Sequence, residues 1–232
     1  MGPDEVAATE DVLRRVPDAV ATWSEGNAEL HPFDVEIVEA PIRTLSEIGP
    51  GRFWVGPGDL RGAIERFAPP RTYDSIFCVW PTDGSFDLCG WGCSIGPSGE
   101  ASGAGFSSII SDTWQGYPDR LHPEEGFVHE WLHQVESVYR DLGLDDTELP
   151  GLHDVADRTS ARGRAVEPYG RTYPEYEADT GTWQPWYRDL MTGTVGTKDS
   201  ETEPLGLTAQ RWALRPARPG RPGRLNGPSE SA

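Results

Sequence analysis

The stretch from Glu124 to Leu142, EEGFVHEWLHQVESVYRDL, constrains this chain more than any other. Phe127, Val128, Leu132, Val135, Val138 and Tyr139 recur at spacings of three and four, the period of one amphipathic helix. Pro123 suits a position just before or at the first turn, and Glu124 and Glu125 suit the positive end of the helix dipole. Gly143 is a natural stop. Within this helix lies His129-Glu130-Trp131-Leu132-His133. Side chains at i and i+4 sit one turn apart on one face, so both imidazoles can reach a single metal ion. Glu130 projects beside that face, where a carboxylate can take a proton from water.

This HExxH pattern resembles the zincin metalloproteases. The resemblance implies Zn2+ as cofactor and His129 and His133 as two of its ligands. It implies hydrolysis of a peptide or protein substrate by a metal-activated water, with Glu130 as general base. It covers the helix firmly and the rest of the layout loosely, and it selects no subfamily. Glu136 and Tyr139 stand where the longer metzincin pattern requires Gly and His. The thermolysin-like and aspzincin signatures for the third ligand are absent as such.

A catalytic zinc normally takes three protein ligands. His153 is the preferred third. It follows His133 by 20 residues, enough chain to leave the helix and return to its face. Asp154, Asp157, Glu175 and Glu177 are the alternatives. Glu136, three residues after His133, lies near the metal face and suits a hydrogen bond to a ligand imidazole. A donor is also needed for the oxyanion of acyl transfer. Tyr169 is preferred for it, with Tyr173 and Tyr176 nearby. His122 can line a cleft.

The remaining composition narrows the setting. The formal net charge of −18 disfavours nucleic acid and anionic membranes as partners. Three cysteines, Cys78, Cys89 and Cys93, are too few for a disulfide scaffold and read as reduced thiols. No basic segment followed by an apolar run opens the sequence, and no apolar run approaches a membrane span, so the expected location is cytoplasmic. Gly (27) and Pro (21) are abundant, which predicts many loops.

In chain order, residues 4–24 predict a helix that Pro17 should kink or split. Phe33–Val38 alternates apolar and acidic residues, the pattern of a half-buried strand. Phe53–Val55 predicts a short strand. Asp59 predicts the cap of a helix ending at Phe67. Tyr73–Trp80 reads as a central strand buried on both faces. Ala104–Ile109 is expected to be a sheet edge that receives extended substrate. Trp183–Met191 predicts a short helix.

The fold class is therefore α+β. On the resemblance it is zincin-like, with a small N-terminal mixed sheet, a central HExxH helix and an irregular, mostly helical C-terminal lobe. One catalytic domain spans 1–210, with lobes of about 1–142 and 143–210. Residues 211–232, rich in Arg, Pro and Gly, are expected to be a disordered tail. Two other functions suit the same sequence: hydrolysis of a non-peptide amide or small molecule, and a non-catalytic binding domain.

Overall fold

A computed structural model describes residues 1–39, 41–81, 92–95, 103–111, 122–154, 182–195 and 205–214. Its architecture is α+β, with two small sheets and five helices among the described residues.

Helix α1 spans Pro3–Trp23 as one continuous element, with Pro17 inside it. An interior proline costs a helix about 3 kcal/mol. Here the stripe Val12, Leu13, Val16, Val20 and Trp23 is buried on both sides of the proline, and that apolar contact outweighs the missing hydrogen bond. A hairpin follows, formed by strands β1 (Ser46–Gly49) and β2 (Arg52–Trp54). Next is the short helix α2 (Arg61–Phe67). Asp59 does not cap it; Leu60 occupies the N-cap without a side-chain bond. The Asp59 carboxylate instead accepts from Thr44 Oγ1 (2.7 Å), Ser46 Oγ (2.8 Å) and the amides of Ser46 (3.0 Å) and Gly56 (2.9 Å). Burial alone would raise its pKa, but these donors outweigh burial and hold it below the usual carboxylate value.

The main sheet has the order β3-β5-β4, with β3 at Ser75–Trp80, β4 at Gly92–Ile95 and β5 at Gly105–Ile110. β3 runs parallel to β5, and β4 antiparallel to it. Two expectations change places here. Among the described residues the apolar run 73–80 lies at an edge, and the glycine- and serine-rich stretch, proposed as the edge at 104–109, is the fully buried central strand. The apolar run is still covered on both faces. Phe77 and Val79 pack on the main core, and Ile76 and Cys78 on the cluster of Trp54, Ile64 and Phe106. Composition therefore reported the covered faces and not the strand's place in the order.

β5 is central because its small residues let the helix carrying His129 and His133 lie close. That helix, α3, spans Glu125–Asp141. A Cβ at Gly105 would collide with the Gln134 side chain of α3. The Gln134 amide accepts from Ser75 Oγ (2.6 Å) and donates to Ser107 Oγ (2.5 Å), tying α3 to β3 and β5.

The predicted strand at Phe33–Val38 does not form. Its backbone is irregular, and Val35, Ile37 and Val38 are exposed. Pro32 and Pro41 remove amide donors at both ends of the stretch. Two contacts anchor it: Phe33 packs edge-on to Phe77 at 5.4 Å, and Asp34 accepts from Tyr73 Oη (2.7 Å).

The C-terminal part supplies helix α4 (Gln184–Thr192), whose Trp186, Tyr187, Leu190 and Met191 join α1 and α3 in one core. A last turn of helix, α5 (Ala209–Trp212), extends order into the stretch read as tail. Trp212 stacks on Trp131 (6.1 Å, 7°) and donates to the Met191 carbonyl (2.8 Å), so its indole belongs to the fold. Residues 215–232 lie outside the described residues.

Cys78 is a free thiol. Burial, with the charge of Asp59, pushes it up to about 12. Cys78 and Cys93 both register with Ser108 from opposite sides, so their Cα atoms stand about 10 Å apart, beyond disulfide reach. Cys89 lies outside the described residues. No described helix is long and apolar enough to cross a membrane.

Candidate metal centre

α3 is buried along its first two turns, where Phe127, Val128, Trp131 and Leu132 enter the core. This fixes the opposite placement of His129 and His133 one turn apart. His153 arrives by a different route. Gly143 adopts φ 98° after the last helical turn and reverses the chain. Arg140 then holds the returning strand of backbone, donating to the carbonyls of Leu144 (3.1 Å) and Leu149 (2.6 Å). Leu144, Leu149 and Leu152 are buried in sequence, and Trp186 Nε1 donates to the Leu152 carbonyl (3.0 Å). The residue after that anchor is His153.

His153 Nε2 lies 3.1 Å from His129 Nε2 and 3.0 Å from His133 Nε2. One imidazole nitrogen carries either a proton or an in-plane lone pair, so it serves two such neighbours poorly by hydrogen bonding. A cation among the three serves all of them. Tetrahedral zinc with Zn–N near 2.0–2.1 Å places its nitrogens about 3.3 Å apart, close to the spacing seen. Among the described residues this is the one cluster of three such side chains whose ligand atoms all lie within 4.8 Å.

The outer nitrogens have partners that turn the inner ones toward the centre. Tyr187 Oη is 2.8 Å from His129 Nδ1, and Glu136 Oε2 is 3.5 Å from His133 Nδ1. With a proton on each Nδ1, Nε2 presents its lone pair to the cluster. Burial first, then the nearby His133 and His153, hold the His129 pKa well below 6.5, so its ring is neutral near pH 7. Burial would raise the Glu136 pKa. The hydrogen bond and charge of His133, with Arg140 and the Leu152 amide, outweigh it and keep that carboxyl low.

Glu130 is 2% exposed, and its Oε1 lies 4.0 Å from His129 Nε2. A carboxylate this close to the cluster can reach a water molecule held there.

Of the predicted residues, His129, Glu130, His133 and His153 come together, and Glu136 stands behind His133. Asp154 does not join them; its carboxylate accepts from the Gly151 amide (3.1 Å) and shapes the turn. His122 pairs with Glu124 (3.1 Å) and packs edge-on to Trp23. Tyr169, Tyr173, Tyr176, Asp157, Glu175 and Glu177 lie outside the described residues.

Two residues of the site escaped the sequence reading. Tyr187 was legible only as part of an aromatic core stripe, and no spacing links it to His129, 58 residues earlier. Glu125, read as a dipole partner, is 1% exposed and accepts a hydrogen bond from the Trp183 amide. That bond fixes the start of α4 against the start of α3, and Tyr187 follows one turn later. Tyr187→Phe keeps the ring that stacks on Trp23 at 6.3 Å and removes only the hydroxyl. It is expected to weaken zinc binding about tenfold, read by competition with a chelator.

No protein-family model, curated protein or solved structure matches this chain.

Proposed function

We propose that this chain is a zinc-dependent metallopeptidase with a zincin-like arrangement. The convergence of His129, His133 and His153 nitrogens at 3.0–3.1 Å, with the buried Glu130 carboxylate beside them, carries the reading.

His129, His133 and His153 would hold a zinc ion, with Tyr187 and Glu136 orienting His129 and His133, and the ion would supply Lewis acidity to a carbonyl and a water. Glu130 accepts the proton of the attacking water and returns it to the leaving amine. Its burial keeps competing bulk water from that carboxylate. Tyr169 remains the preferred donor to the oxyanion on the strength of its place in the sequence.

The substrate strand belongs on β4 rather than β5. Among the described residues β4 is the outer strand on one side of the sheet, antiparallel to β5 and packed against α3. An extended peptide can add to such an edge through main-chain hydrogen bonds.

Elemental mass spectrometry on purified protein tests the reading. Wild type is expected to hold about one zinc per chain and His129→Ala little, in keeping with a three-ligand site. Absence of bound zinc from wild type after zinc is supplied overturns it.

A further inference from the structure

The far edge of the sheet borders an open groove of about 1890 Å3 that no part of the metal centre uses. Phe33, Phe53, Phe67, Tyr73 and Phe77 give its lining an aromatic character. One wall is the irregular stretch 31–39, held to β3 by the Phe33–Phe77 contact and to the segment just before it by the bond from Tyr73 Oη to Asp34 (2.7 Å). That wall leaves Val35 (45%), Ile37 (62%) and Val38 (44%) exposed. The groove is also strongly acidic. Glu10, Glu29, Asp34, Glu36, Glu39 and Asp74 line it, against one arginine, Arg43.

A complementary segment exists in the same chain. Residues 215–224 read Arg-Pro-Ala, Arg-Pro-Gly, Arg-Pro-Gly, Arg. Arginine stands at 215, 218, 221 and 224, and proline at 216, 219 and 222. A polyproline II helix has three residues per turn, so this triplet puts its arginines along one face and its prolines along the next. Aromatic-lined grooves recognise proline faces of this kind, and carboxylates on the rim can pair with the arginines. The fold delivers the segment from its surface: Leu214, at the end of the described residues, is 48% exposed. Ten residues in this conformation span about 31 Å. Elsewhere the chain is dominated by acid: 15 of its 20 Lys and Arg face 37 of its 38 Asp and Glu within residues 1–210.

We infer that the Arg-Pro triplet segment 215–224 docks in polyproline II form in its own chain's acidic aromatic groove between residues 31–39 and β3. The docking site lies at the β3 edge, on the opposite side of the sheet from β4, and is independent of the metal reading.

Hydrogen exchange on the full-length protein tests this. In wild type at low salt, amides of residues 33–39 and 73–80 are expected to exchange about tenfold more slowly than in the variant R215E/R218E/R221E/R224E. That is the size expected of four exposed charge pairs acting together. Wild type in 1 M NaCl should lose the protection as well, because exposed pairs are screened there. The groove-side variant E36K/E39K, altered only at exposed positions, should lose it without touching the segment. Equal exchange in wild type and both variants overturns the proposal. Protection that rises with protein concentration also overturns it, since the occupant would then come from a second copy or another partner.

Discussion

Replacing Glu130 with glutamine is expected to leave zinc binding at about one ion per chain and to lower peptide turnover about 10²–10⁴-fold. The substitution preserves the size and polarity of a side chain that is 2% exposed, so the surrounding fold has no cavity to absorb. It removes the basicity, because an amide oxygen does not take a proton from water near neutral pH. Glu130 Oε1 stands 4.0 Å from His129 Nε2, beyond direct hydrogen-bond contact but within reach of a water among the histidine nitrogens. Metal content and hydrolysis of a fluorogenic peptide library should therefore separate. Turnover equal to wild type would remove Glu130 from the chemistry. Loss of zinc together with turnover would make it a ligand or a structural support instead.

The second large effect is on binding. His153→Ala is expected to weaken zinc affinity by more than about a hundredfold, beyond what loss of an outer partner does. Its Nε2 lies 3.0 Å from His133 Nε2 and 3.1 Å from His129 Nε2. The control is Asp154→Asn, which keeps an oxygen to accept from the Gly151 amide and is expected to bind zinc near the wild-type level. Chelator competition on the two variants decides between the neighbours. A large loss in Asp154→Asn with none in His153→Ala would reverse the assignment.

The difference between these neighbours shows what a sequence of this kind discloses. The helix of His129 and His133 was legible because one face had to be apolar at period 3.6, and the two imidazoles ride on that periodicity. His153 was legible only through scarcity and chain length; what brings it home is the burial of Leu149 and Leu152 and the indole of Trp186, which no local pattern announces. The sheet misled for a related reason. An apolar run reports that both faces of a strand are covered, as the side chains of β3 are, but not whether other strands flank it. Small residues at 105, 107 and 108 let β5 take the central position, and that preference depends on Gln134, 27 residues after Ser107. The alternation at 33–38 had the right period, but Pro32 and Pro41 remove amide donors at both ends, and the stretch packs beside β3 without pairing to it. Tyr187 is the clearest omission, since a core tyrosine and one that orients a histidine look identical until the fold brings the ring nitrogen to 2.8 Å.

The bond from the Trp186 indole to the Leu152 carbonyl has a kinetic meaning. Two of the three histidines ride on one helix, whereas the third follows a turn held by that indole, by Arg140 at the Leu144 and Leu149 carbonyls, and by buried leucines. On the proposed reading, an ion held by the three histidines could leave without unwinding α3 once the turn carrying His153 lifted away. Its residence time would then follow how often the Leu152 latch opens, and so how firmly α4 is seated. Substitutions that loosen α4 in the core, far from any ligand, should shorten that residence time before they lower equilibrium occupancy.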